Sequence, residues 1–163
     1  MRAILSAFGP TELGYAARIL AACILAYGAS LLLGFPEGYW SLITVVIVVQ
    51  PDLPGTVSAS RNRIIGTLIG AAVGALALLG RDHGLPTLPL YAAGLVPLVL
   101  LTAIRPTLRL SCITLTIVVL ASGSGATIIL PMQRVAEIII GTLAALLVSL
   151  VHLSARRATA GSA

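Results

Sequence analysis

A nine-residue segment that occurs twice constrains this chain more than any other feature. Segment 41–49 returns 70 residues later as 111–119, and six of the nine positions are identical. Two shorter matches flank it in the same order: 15–17 returns as 91–93, and 64–68 returns as 139–143. Short matches in a fixed order with variable spacing are typical of an old duplication. The chain is therefore predicted to contain two copies of one unit.

The amino-acid composition places these units in a membrane. Of the 163 residues, 58% are hydrophobic and 9% are charged, and the mean hydropathy is +1.08. A soluble domain carries about 25% charged residues, so this chain has too little polar surface for water. Backbone groups in lipid must be satisfied within their own segment, which predicts helices even where Val, Ile and Thr dominate. The predicted fold class is all-α integral membrane.

Six apolar segments are predicted to be transmembrane helices. They lie at about 15–34, 39–50, 63–79, 90–104, 110–121 and 134–153. The second and fifth have only about a dozen residues, short of the ~20 that a crossing needs. This predicts an N-terminal cytoplasmic segment 1–14, a three-helix repeat 15–80, a loop 81–89, a second three-helix repeat 90–153 and a tail 154–163.

The arginines predict the orientation of these helices. With the N-terminus inside, eight of the ten arginines belong to cytoplasmic regions, and only Arg81 and Arg134 belong to outer loops. Basic residues favour the cytoplasmic side, so both termini are predicted to be cytoplasmic. Each repeat has an odd number of crossings, so the second is predicted to be inverted relative to the first. Many secondary transporters are built in this way.

Breaks after the two short segments indicate where a substrate could pass. Prolines and a glycine interrupt the chain at 50–55, and two Ser-Gly pairs interrupt it at 122–125. Interrupted helices at corresponding positions of two repeats offer free backbone groups and are typical of a transport site. The alternative is that both are short tilted helices. The candidate polar contacts to substrate beside these breaks are Thr44, Gln50, Thr114, Ser122 and Ser124, although the threonines can instead bond to their own helices.

Charged residues near the breaks are candidates for anion binding and for proton coupling. Arg61 and Arg63 are expected at the N-terminal end of the third span, where the helix dipole and the planar guanidinium both suit a carboxylate. The alternative is that they are cytoplasmic anchors. The proton-coupling candidates are Asp52, which can also be a turn residue, and Arg134 with Glu137, which can also be a simple i,i+3 ion pair.

Small residues at four-residue spacing predict close helix packing. Gly66, Gly70 and Gly74 form one such stripe, and Gly141 and Ala145 belong to another. Such stripes let a second helix approach closely, within the chain or across a dimer. Neither cysteines nor histidines have the spacing of metal ligands, and no nucleophile–base pair, phosphate loop or aromatic-interleaved basic patch occurs. We therefore expect no metal, no cofactor, no nucleic-acid partner and no enzymatic activity.

Three motifs resemble one membrane-protein family. They are the run from Tyr39 and Trp40 to Val45, then Gln50-Pro51, then Arg63 followed by Ile64-Ile65-Gly66-Thr67-Leu68-Ile69-Gly70. In this order they resemble the fusaric acid resistance family, also called the aromatic acid exporter family. The segment 134–143 is similar to the closing motif of the same unit. The resemblance covers about 15–153.

The resemblance implies a function and a set of partners. It implies a six-span inner-membrane module that works as a homodimer or as two fused copies, in contact with membrane lipid. It also implies export of organic, aromatic carboxylate anions, driven by the proton gradient. Larger members carry a cytoplasmic domain, and only ten residues follow Leu153, so a separately encoded cytoplasmic partner is one expectation. The alternatives are a passive anion channel and a non-transporting membrane scaffold for such a partner.

Overall fold

The computed structural model of the protein describes residues 9–35, 37–120 and 129–160. Regular structure within these ranges is helical throughout, which confirms the all-α prediction. A 3-10 turn, Pro106–Leu108, precedes the fifth helix. The α-helices, in chain order, are α1 (Pro10–Leu32), α2 (Tyr39–Val48), α3 (Leu53–Asp82), α4 (Thr87–Ile104), α5 (Arg109–Leu120) and α6 (Ile129–Ala160).

Four of the described helices, α1, α3, α4 and α6, are long and apolar enough to cross a membrane. Helices α2 and α5 have only 10 and 12 residues. At a rise of 1.5 Å per residue they span about 15–18 Å, against ~30 Å of hydrocarbon. The shortness of the second and fifth segments is thus confirmed, whereas six full crossings stay a prediction.

Local sequence explains where the long helices begin and end. Proline occupies the first position of α1, where its missing N–H is not needed, and Glu12 lies in the positive first turn. Gly34 and Gly84 follow α1 and α3 with φ angles of 77° and 84°. This left-handed conformation terminates helices and favours glycine.

Helix α3 begins ten residues earlier than predicted. The chain is already helical from Leu53 onward, so the stretch 56–62, which precedes the predicted third span, belongs to α3. Pro54 lies in the first turn, where it is tolerated, and Asp52 Oδ2 accepts the Gly55 N–H at 3.3 Å. The Pro-Gly pair that was expected to stop one helix therefore starts the next one, and the break between α2 and α3 is only a few residues long.

The chain divides into two compact units that do not follow the order of the sequence. The first holds the residues up to Ser60 and those from Ile139 onward, and the second holds Arg61–Ile138. The core of the first unit contains Ala22, Ala26, Val45, Val48, Val49, Ala144 and Ala145. The core of the second contains Ala77, Leu98, Leu115 and Val119. Ala145, one of the small residues at four-residue spacing, thus lies in the core of the first unit.

The two copies of the repeated segment have the same pattern of burial. Five pairs related by the 70-residue offset are at most 2% exposed: Ser41 and Ser111, Thr44 and Thr114, Val45 and Leu115, Val48 and Val118, Val49 and Val119. A glycine packs on each copy. A Cβ at Gly141 would lie 2.9 Å from Thr44 Cβ in the first unit, and a Cβ at Gly70 would lie 2.8 Å from Thr114 Cβ in the second.

The rest of the predicted glycine stripe also packs within the chain. A Cβ at Gly66 would lie 2.9 Å from Leu110 Cβ, and one at Gly74 would lie 2.6 Å from Val118 Cγ1. These glycines therefore bring α3 onto α5. The face that was considered for a dimer contact is occupied by a helix of the same chain.

Candidate functional site

The most unusual polar group in the second unit is Arg63. This arginine lies inside α3 and is 1% exposed, and its Nε and Nη1 atoms have no hydrogen-bond partner among the described residues. Thr67, one turn later, is also 1% exposed, and its Oγ1 lacks a partner within the same described ranges. Residues four apart lie on one helix face, so the two groups are neighbours. We call them the Arg63–Thr67 pair.

Buried ionic groups without partners are rare because they are costly. An uncompensated buried charge destabilises a protein by several kcal/mol, and ionisable residues within membrane spans usually mark a substrate or ion pathway. The guanidinium presents N–H donors in a planar fork that matches a carboxylate, and the threonine adds a hydroxyl donor. The chemistry that would satisfy the Arg63–Thr67 pair is an organic anion.

Arg61 has a different environment from Arg63, although the two were predicted to act together. Its side chain is exposed. The proposed role of the helix N-terminus is also wrong for both arginines, because α3 begins at Leu53 and only the first four N–H groups of a helix are free. The guanidinium of Arg63, not a helix end, supplies the positive charge.

The second charged pair lies in α6. Arg134 Nη1 donates to Glu137 Oε2 at 2.7 Å, and the two residues are 5% and 1% exposed. The i,i+3 ion pair that the sequence allowed is therefore formed. Because α6 begins at Ile129, the pair lies past the first turn and is buried in the second unit.

Side chains of α1 hold the carbonyl groups that follow α2. Tyr15 donates its hydroxyl to the Val49 carbonyl oxygen at 3.1 Å. Arg18 Nη2 donates to the carbonyl oxygens of Gln50 at 3.3 Å and Pro51 at 2.6 Å, and the guanidinium lies 5.5 Å from the centre of the Tyr15 ring. The break at the end of α2 exists as predicted, but its backbone acceptors are already used by the chain.

A cavity of about 730 Å³ lies beside this break in the first unit. Its walls come from the start of α1, from the α2–α3 connector and from the end of α6: Thr11, Glu12, Tyr15, Arg18, Pro51, Asp52, Leu53, Pro54, Ser149, His152 and Leu153. Its size is within the range of small-molecule sites. We call it the α1–α6 cavity.

The polar groups of the α1–α6 cavity differ in depth. Arg18 and Ser149 are 8% and 2% exposed, and Arg18 Nε and Ser149 Oγ have no hydrogen-bond partner in the described part of the chain. Glu12 and Asp52 are exposed. The cavity therefore has unmet donors at its floor and carboxylates at its rim.

The other predicted contacts lie outside both sites. Thr44 and Thr114 donate to the carbonyl oxygens of Trp40 and Leu110 on their own helices, at 3.0 and 3.1 Å. Gln50 donates its amide to the Ile47 carbonyl oxygen. Ser122 and Ser124 lie outside the described residues, as does the second break. No group of three metal-ligating side chains occurs in the described ranges.

Sequence reasoning missed Thr67, Arg18 and Ser149. Thr67 could have been found from its position one turn after Arg63. Arg18 interrupts an apolar segment, and its spacing of three from Tyr15 puts both on one face of α1. Ser149 continues the stripe of Gly141 and Ala145 at four-residue spacing, which indicated helix packing rather than a binding site.

A family model provides the assignment. Residues 5–148 match the model described as fusaric acid resistance protein-like. The chain belongs to the fusaric acid resistance protein-like family. Membership agrees with the resemblance found in the sequence motifs, and with the four candidate spans it makes this chain a multi-pass, transporter-like membrane protein.

Two curated relatives share short segments with this family member. Inner membrane protein YccS of Escherichia coli K12 is 37% identical over 60 residues, which are 37% of this chain and 8% of YccS. An uncharacterized protein of Haemophilus influenzae Rd is 50% identical over 42 residues, which are 26% of this chain and 6% of that protein. The matches thus span less than a tenth of either relative. No solved structure matches this chain.

Proposed function

We propose that this chain is an inner-membrane transporter module that exports organic, aromatic carboxylate anions, driven by the proton gradient. The observation that carries the proposal is Arg63, a fully buried cation within a membrane span that has unmet donors among the described residues. An anion that passes along α3 would satisfy these donors. YccS is named an inner membrane protein, and this name supports the proposal that the chain lies in the inner membrane.

The repeated packing contacts support an inverted-repeat architecture. Gly70 and Gly141 meet equivalent residues of the two copies, Thr114 and Thr44. Two sequence repeats with three crossings each would enter the membrane in opposite orientations, as in many secondary transporters. We propose this arrangement, with both termini in the cytoplasm and two copies of the chain forming the working dimer.

Glu137 is the strongest proton-coupling candidate. It is 1% exposed and paired with Arg134 at 2.7 Å, whereas Asp52 is exposed and accepts a backbone N–H at the start of α3. Buried carboxylates that exchange a charged partner for a proton are typical of proton relays in membranes. We propose Glu137, with Arg134 as its partner, for this role.

Flux in proteoliposomes that contain only this protein tests the proposal. The substrate is 4-hydroxybenzoate, and flux is measured with and without an imposed pH gradient. We expect gradient-dependent flux that falls at least about tenfold in Arg63→Gln, since a charge-assisted bidentate contact is lost. Arg105→Gln is the matched control, because Arg105 is exposed at the end of α4.

Two other outcomes would change the assignment. Flux that needs no gradient but still depends on Arg63 would indicate a passive anion channel. Absence of flux from protein with native helix content would indicate a membrane scaffold for a separately encoded partner.

A further inference from the structure

The α1–α6 cavity has features of a ligand site that Arg63 does not explain. Two helices and the connector line a partly open cavity of about 730 Å³ in the first unit. Arg18 and Ser149, from α1 and α6, are each more than nine-tenths buried and line it, and each has a polar atom without a partner among the described residues. Arg18 and Ser149 thus bring unmet donors from two separate helices to the lining of one cavity.

The floor of the cavity selects for an anionic end of a ligand. Two bonds from Arg18 Nη2 to backbone oxygens, at 3.3 and 2.6 Å, fix the guanidinium in place. Its Nε and the hydroxyl of Ser149 have no partner among the described residues, and these are the two donors that we assign to a ligand. A carboxylate oxygen accepts both kinds of bond, and a charge-assisted bond to a preorganised guanidinium is strong.

The rim selects for the opposite charge. Glu12 and Asp52 line the same cavity and are exposed. Glu12 precedes Arg18 by six residues on α1, which is about 9 Å along the helix axis. A ligand with a second negative group at that distance would be repelled, whereas one with an ammonium group would be attracted.

We propose that the α1–α6 cavity binds an amphoteric organic acid, with its carboxylate at Arg18 and Ser149 and its ammonium group near Glu12 and Asp52. The two charges must be several ångströms apart, so a ligand with para substituents on a ring fits better than one with both charges on a single carbon. This site is separate from the Arg63–Thr67 pair and does not rest on the transport proposal.

Three probes with one carbon skeleton test the proposal. They are 4-(aminomethyl)benzoate with both charges, 4-methylbenzoate with only the carboxylate, and 4-methylbenzylamine with only the ammonium group. Binding to the full chain in phosphatidylcholine nanodiscs is measured by titration calorimetry. We expect 4-(aminomethyl)benzoate to bind about 3- to 10-fold more tightly than 4-methylbenzoate, because the rim carboxylates are exposed, and the amine to bind most weakly.

Variants assign each charge to its end of the cavity. Glu12→Gln with Asp52→Asn is expected to remove the preference for 4-(aminomethyl)benzoate and to leave 4-methylbenzoate binding in place. Arg18→Gln is expected to weaken both acids at least about tenfold. Since Arg18 also holds the connector, Ser149→Leu provides a second variant that fills the cavity and leaves those bonds intact. Arg105→Gln is the control.

The proposal is overturned if the wild-type protein, with native circular dichroism, binds none of the probes or binds all three equally. It is also overturned if Ser149→Leu binds like the wild type. Binding is measured without flux, so a failed transport experiment leaves this result standing, and a failed binding experiment leaves the transport proposal standing.

Discussion

At the scale of single residues, three arginines are buried, and each has a different environment. Arg18 holds backbone oxygens, Arg134 pairs with Glu137, and Arg63 has unmet donors in the described ranges. The Nε atoms of Arg18 and Arg134 are unmet as well, but contacts to oxygen atoms offset part of the cost of burying these two residues. A residue such as Arg63 is retained for function rather than for stability.

Removal of this charge is expected to stabilise the protein. Arg63→Met keeps a long side chain and deletes the uncompensated cation, so we expect unfolding in mixed micelles to require about 1–4 kcal/mol more free energy than for the wild type. Transport should be lost in the same variant. Arg61→Met, at an exposed position, is expected to change stability by less than about 0.5 kcal/mol. A destabilised Arg63→Met protein would mean that Arg63 has a partner in the fold.

At the scale of helices, close approach of the backbones decides the packing. A Cβ at Gly70 would lie closer to the Ser111 carbonyl oxygen than any real Cβ does and 2.8 Å from Thr114 Cβ. The same contact recurs at Gly141 in the other unit. Helices α3 and α6 therefore each pack on a short helix through a position that has no side chain.

Gly70→Ala is expected to cost about 1–3 kcal/mol, because backbone atoms of α5 must move to admit one methyl group. Gly28→Ala is the matched control, since nothing lies within 4 Å of its Cβ position in α1, and it should gain up to about 1 kcal/mol from helix propensity. Thermal unfolding in detergent, followed by circular dichroism, measures both. Equal stability of the two variants would contradict the packing described for α3 and α5.

The sequence predicted helices and packing better than it predicted the sites. Apolar segments and the repeat located the helices, because lipid leaves the backbone no other choice. The start of α3 was wrong, because Pro54 and Gly55 were taken to end a helix although proline also suits a first turn. The charge of Arg63 made it a candidate. That Arg63 is buried while Arg61 is exposed depends on which face of α3 packs inside the protein, and the sequence did not show this. The α1–α6 cavity joins residues over 130 positions apart, Thr11 and Ser149, which no local pattern reveals.

At the scale of the whole molecule, the proposed orientation makes a prediction about accessibility. His83 and Thr107 are exposed at the ends of α3 and α4. With six crossings and the N-terminus inside, they lie on opposite sides of the membrane. His83→Cys should react with an impermeant maleimide on intact cells, and Thr107→Cys only after permeabilisation. Both are made with Cys23 and Cys112 replaced by serine. Labelling of both from one side would contradict the proposed topology.

The division into units also sets the order in which the protein can be completed during synthesis. The second unit is one continuous stretch, Arg61–Ile138, whereas the first needs residues from Ile139 onward. Gly141 meets Ser41, 100 residues earlier in the chain. Until those residues have been synthesised, α1 and α2 lack the part of α6 that completes the first unit. The hydroxyl groups that α2 buries in the complete unit are not yet covered by α6. The first unit is therefore begun first and completed last. Its helices are the ones that most need the insertion machinery to cover them during synthesis.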